Sequence, residues 1–124
     1  MAKKITVLLV EDNEMSRDML SRRLEKADYS VTTAENAAQA REKIAEMPQV
    51  VLLDMMLPDE TGWSLATEWK KSLEYSGIPI IAVSAMALRE NVERGLQSGC
   101  DAYLTKPVDF KVLQEHIAEL VAAK

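Results

Sequence analysis

The stretch Val50-Val51-Leu52-Leu53-Asp54-Met55-Met56-Leu57-Pro58-Asp59-Glu60-Thr61-Gly62 carries the clearest structural signal in the chain. Four consecutive apolar residues, two of them β-branched, stop at an acid and run into a segment that holds a proline and a glycine. A short run that is apolar on both faces reads as a strand covered on both sides of its sheet. Pro58 and Gly62 mark the residues beyond it as loop. Asp54 is left at the carboxyl end of a buried strand, with no helix start beside it to cap.

The same alternation recurs on both sides. Towards the amino end, Ile5-Thr6-Val7-Leu8-Leu9-Val10 reads as a buried strand that stops at Glu11-Asp12-Asn13. Met15, Met19 or Leu20, Leu24 and Ala27 then follow at helical spacing. A short strand from Ser30 to Thr33 and a helix carrying Ala37, Ala40, Ile44 and Met47 lead into residues 50–62. Towards the carboxyl end come a helix with Ala66, Trp69 and Leu73, a break at Gly77, and a strand Pro79-Ile80-Ile81-Ala82-Val83 with Ser84 at its end. A fourth helix places Leu88, Val92 and Leu96 four apart and is capped by Gly99. Strand Ala102-Tyr103-Leu104-Thr105 and a helix repeating Phe110, Leu113, Ile117 and Leu120 close the chain. Strands separated by helices require right-handed crossovers, so the expected class is α/β: a five-stranded parallel sheet with helices on both faces. No linker or repeat divides residues 1–124, and one domain is expected.

The 124 residues are 48% apolar and 28% charged, which suits one globular core. A net charge of −5 opposes binding to nucleic acid or an anionic membrane surface, and favours protein partners. No apolar run approaches the roughly 18 residues that span a bilayer, and no signal-peptide pattern precedes the first strand, so a cytoplasmic protein is expected. The lone Cys100 is expected to be a small packed residue.

In an open parallel sheet, ligands bind at the carboxyl ends of the strands. The residues just past those ends are Glu11 and Asp12, Asp54, Ser84 and Lys106. Three carboxylates brought together raise one another's pKa unless a cation shares them. Hard oxygen ligands suit Mg²⁺, with Mn²⁺ as a substitute. With Mg²⁺ and Lys106 balancing charge, one carboxylate can act as a nucleophile toward phosphorus. Lys106 and the Ser84 hydroxyl can then serve the phosphoryl oxygens.

Val10-Glu11-Asp12-Asn13, Leu53-Asp54-Met55-Met56-Leu57-Pro58-Asp59 with Gly62, Ser84-Ala85 and Tyr103-Leu104-Thr105-Lys106-Pro107 together resemble the receiver-domain family of two-component response regulators. The likeness runs through essentially the whole chain. It implies a flavodoxin-like sheet of order 2-1-3-4-5, with Asp54 as phosphoacceptor and Asp12 as direct Mg²⁺ ligand. Glu11 is implied to act on the metal through water, and Met56 to be a ligand through its backbone carbonyl. Ser84 is implied to move toward the phosphoryl group, Tyr103 to follow it, Lys106 to complete the site, and Lys106–Pro107 to be a cis peptide. Glu11 and Ser84 stand where Asp and Thr are more frequent in the family. The implied partners are a histidine kinase or histidine phosphotransfer protein and a downstream target. That target would read the face of the fourth helix, fifth strand and fifth helix, the chain being a monomer or a phosphorylation-dependent dimer. Such a protein is no conventional enzyme, but catalyses its own aspartyl phosphorylation and dephosphorylation.

Plainer readings stand beside these. Asp12 or Asn13 can simply cap the first helix, and Tyr103 can be core filling. Trp63, Trp69 and Met55-Met56 read as packing residues and His116 as a surface residue. A non-phosphorylated interaction module is the alternative function, opposed by the intact set Asp12, Asp54, Ser84 and Lys106. A flavin domain fits poorly because Glu11-Asp12-Asn13-Glu14 would repel phosphate, and a phosphohydrolase lacks a second acid at Met56. The chain either acts alone by contact, carries phosphoryl groups in a relay, or is part of a larger regulator; Met1 just before the first strand favours the stand-alone expectation. Exposed residues Arg89, Glu90, Glu93, Arg94, Lys111 and Glu115 are expected to set partner choice.

Overall fold

A computed structural model of the chain describes residues 4–123; Met1, Ala2, Lys3 and Lys124 lie outside them. Strands and helices alternate as β1 (Thr6–Val10), α1 (Glu14–Lys26), β2 (Ser30–Ala34), α2 (Ala37–Lys43), β3 (Val50–Asp54), α3 (Gly62–Lys71), β4 (Ile80–Ser84), α4 (Arg89–Gln97), β5 (Ala102–Thr105) and α5 (Phe110–Ala122). All strand pairs are parallel, in the order β2-β1-β3-β4-β5. Order and class agree with the sequence reading. Strand ends differ by a residue: β3 runs on to Asp54, and β4 starts at Ile80 and includes Ser84.

Successive strand residues face opposite sides of the sheet, and the chain uses this to build two cores. Leu8, Val10, Val51, Leu53, Ile80 and Ala82 pack with the side chains of α2 and α3. Val7, Leu9, Leu52, Ile81 and Val83 pack with Leu24 of α1 and with Leu113 and Ile117 of α5. Truncating a fully buried residue such as Leu113 to alanine costs about 2–5 kcal/mol.

The helical apolar stripes are narrower than their spacing suggested. Leu24 is buried on α1, but Met15 and Met19 are exposed, because α1 covers only one side of the sheet near its edge. Met47 follows a 3₁₀ turn in a left-handed conformation and is exposed, and Leu73 lies beyond the end of α3, fully in solvent. On α4 the one buried residue is Gly95; Leu88 is its N-cap, and Leu88 and Leu96 face outward. Of the methionine pair, Met55 is packed whereas Met56 is exposed, since the chain leaves the sheet between them.

Candidate functional site

The register alone brings two acids together. Val10 pairs with Leu53, so the next residues, Glu11 and Asp54, are neighbours across the seam between β1 and β3. By strand alternation both follow Leu9 and Leu52 onto the side of α1 and α5. Thr105 pairs with Ser84, and the Lys106 N–H continues that ladder by donating to the Ser84 carbonyl at 2.8 Å. The Lys106 side chain comes out on the same side as the acids.

There its ammonium donates to Glu11 Oε2 at 2.8 Å and to Asp54 Oδ2 at 3.2 Å. The other oxygens are also held: Glu11 Oε1 accepts from the Asn13 N–H, and Asp54 Oδ1 from the Met56 N–H at 2.9 Å. Both carboxylates are buried, while Asp12 is exposed at the rim. Burial pushes the Glu11 carboxyl above the usual carboxylate range, and the adjacent Asp54 adds to this. Burial works against the Lys106 ammonium, but its bond to Glu11 and the charge of Asp54 outweigh that and raise its pKa. Glu11, Asp12 and Asp54 each bring a carboxylate oxygen to within 4.8 Å of the others. Three carboxylates facing one ammonium, all with hard oxygen donors, suit a divalent cation.

Ser84 lies one step out of phase with Val83, so it belongs to the opposite side of the sheet, and it is fully buried. Its Oγ accepts from the Met86 N–H at 3.1 Å, and the Tyr103 hydroxyl donates to the Met86 carbonyl at 2.9 Å. Ser84 and Tyr103 are thus joined through one residue of the β4–α4 loop. The Lys106–Pro107 peptide is cis. Beside it a groove of about 510 Å³ has Met19, Leu20, Val83 and Val108 in its walls.

The loops that carry the site are fixed by local chemistry. Asn13 caps α1 through the Ser16 N–H, leaving Asp12 without a capping role. Thr61 caps α3, whose first residue is Gly62; a Cβ there would lie 2.5 Å from the Asp54 carbonyl, so only glycine lets α3 start this close to β3. Asp109 caps α5. Sequence reasoning missed three participants. Asp59 accepts from the Ala37 and Ala38 N–H groups at the start of α2, beside the cap Asn36. Arg17 joins the carbonyls of Glu11 and Asp12 to Glu35. Arg41 ties Glu60 to Glu68. Asn36 with Gln39 three residues on is a helix-start signal that could have located α2's cap; nothing in the spacing of Asp59 or Arg17 announces theirs. Arg89, Glu90, Glu93, Arg94, Lys111 and Glu115 are all exposed, with Arg89 paired to Glu93 and Arg94 stacked on Trp63. His116 is half-buried.

Among the described residues no helix is long and apolar enough to cross a membrane. Residues 7–118 match the family described as the response regulator receiver domain. The phosphate regulon transcriptional regulatory protein PhoB of Pseudomonas aeruginosa is 40% identical over 103 residues, which are 82% of this chain and 45% of that protein. The polar-differentiation response regulator DivK of Brucella anthropi is 34% identical over 104 residues, 83% of this chain and 85% of that protein. This chain therefore spans less than half of PhoB but most of DivK. A CheY-like response regulator receiver domain protein from Methanospirillum hungatei has the same fold, with a TM-score of 0.87 and 31% identity over 97% of this chain and 95% of that one. With its sheet order, its strand-end acids and the family match agreeing, the chain belongs to the receiver-domain family of two-component response regulators.

Proposed function

We propose that the chain is a phosphorylation-operated switch in which Asp54 accepts a phosphoryl group from a phosphohistidine donor. The observation that carries this reading is the Lys106 ammonium bridging Glu11 and Asp54 with Asp12 at the open rim. Asp12, Asp54 and the Met56 carbonyl would hold Mg²⁺, with Glu11 acting through water; the bound ion would supply positive charge to the transferring phosphoryl oxygens. Asp54 Oδ1 is oriented by the Met56 N–H, and Oδ2 by Lys106, so the nucleophile is placed before the donor arrives. Attack by an Asp54 oxygen breaks the donor's nitrogen–phosphorus bond, and Lys106 follows the charge onto the phosphoryl group.

Read-out follows from the other face. A phosphoryl group at Asp54 offers an acceptor to the Ser84 hydroxyl, which is tied to Tyr103 through Met86. Moving Ser84 would release Met86 and free Tyr103, altering the face made by α4, β5 and α5. The partners on this reading are a histidine kinase or phosphotransfer protein and a cytoplasmic target protein, with no nucleic acid or membrane contact by this domain, which occupies residues 1–124. Beryllofluoride, a stable mimic of the aspartyl phosphate, tests it. With Mg²⁺ present, the amide resonances of Met56, Ser84, Met86 and Tyr103 should shift together. Shifts confined to Met56 would remove the read-out, and none at all would remove the switch.

A further inference from the structure

We propose that Arg17 is a positioning residue for the cation site, holding the backbone of Glu11 and Asp12 so that their carboxylates face the ion. This rests on the metal-site reading above. Asp12 belongs to neither β1 nor α1, so neither a sheet ladder nor a helix fixes it. Arg17, one turn into α1, supplies what is missing: Nη1 donates to the carbonyl of Glu11 at 3.0 Å and to that of Asp12 at 3.3 Å. Nη2 pairs with Glu35 Oε1 at 3.1 Å, and the Arg17 side chain is only 14% exposed. The guanidinium thus has a fixed place, with a planar fork suited to several acceptors.

Glu35 is itself anchored. Its N–H donates to Gln39 Oε1 and its Oε2 accepts from Gln39 Nε2, while the Gln39 N–H donates to the cap Asn36. The same turn of α2 is gripped by Asp59 from the loop after Asp54. Both acid-bearing loops are therefore referred to one rigid point, the start of α2. Outer groups that orient ligands in this way typically change metal affinity by about 10–100-fold when removed.

Charge and position make opposite predictions for Arg17. As a cation near a cation site it would weaken metal binding, so its removal by charge alone would tighten it. As a positioning group its removal must weaken binding. The experiment is Mn²⁺ titration of the whole chain, followed by loss of the free-ion paramagnetic resonance signal and repeated with Mg²⁺ as competitor. Arg17→Ala should raise the Mn²⁺ Kd about tenfold, with Arg17→Lys between it and the wild type. Arg22→Ala removes an equal charge from an exposed position on the same helix and should not weaken binding. Thermal melts separate this from simple destabilisation, which lowers Tm but leaves the Kd of the folded protein alone. Should Arg17→Ala not fold, Glu35→Ala, which removes only the outer anchor, should still raise the Kd. A Kd for the folded variant equal to or below that of the wild type overturns the role of Arg17. If Asp12→Asn still abolishes binding in that case, the metal site itself stands. A wild type that binds no Mn²⁺ overturns both.

Discussion

The Lys106 ammonium lies 3.2 Å from the Asp54 carboxylate although 52 residues separate them in the chain. The contact closes a site drawn from the ends of β1, β3 and β5, and leaves Glu11 and Asp54 side by side if it is lost. Removing one partner of a buried pair costs about 3–5 kcal/mol. Lys106 is about a quarter exposed, so solvent screening reduces this to about 1–3 kcal/mol for Lys106→Met. Mg²⁺ binding to the folded state should restore part of that loss. Urea midpoints with and without Mg²⁺ check it: a deficit that Mg²⁺ leaves unchanged would contradict a shared cation site.

Gly95 sets the position of Tyr103. A Cβ at residue 95 would lie 2.6 Å from Tyr103 Cδ2, so Gly95→Ala forces the ring away from α4 and breaks its bond to the Met86 carbonyl. The variant should favour the released arrangement of Tyr103 and bind beryllofluoride more tightly than the wild type, by a few-fold for a shift of about 1 kcal/mol. An unchanged or weaker apparent affinity would show that Tyr103 and the site are not coupled in this way.

Asp59 predicts a pH effect. The Ala37 N–H bond, helped by that of Ala38, holds its carboxyl below the usual carboxylate range. A folded pKa below the unfolded one gives stability that is present above the unfolded value and is lost as pH falls through the folded one. Asp59→Asn should therefore lower stability near neutral pH and flatten its fall below about pH 4. Denaturant melts across that range read the slope; an acid limb as steep as the wild type's would sink the assignment.

Cys100 is buried, and burial pushes its thiol up to about 11. The thiolate is the reactive form, so a disulfide reagent at neutral pH should label the native protein only at the rate of opening, and the urea-unfolded protein at once. Rapid labelling of the native protein would place Cys100 outside the core.

The fold was legible because β1, β3, β4 and β5 are mostly apolar and each ends at or just before a chemistry-bearing residue, whereas the edge strand β2, with Ser30, Thr32 and Thr33, does not. That pattern located Glu11, Asp12, Asp54, Ser84 and Lys106, and register did the rest. The helices were less legible. Met15, Met19, Leu88 and Leu96 hold helical spacing but face solvent, because spacing defines a stripe without saying whether the sheet extends beneath it. Arg17 and Asp59 escaped notice for another reason. The contacts that give them their roles are to backbone groups brought close by the fold, and backbone groups carry no sequence signal.

The most direct test of the switch is intact mass after incubation with acetyl phosphate, with and without Mg²⁺, for the wild type and for Asp54→Asn. The account predicts a Mg²⁺-dependent gain of one phosphoryl group by the wild type and none by the variant. No uptake by the wild type from acetyl phosphate or from a phosphohistidine donor, or equal uptake by Asp54→Asn, would contradict it.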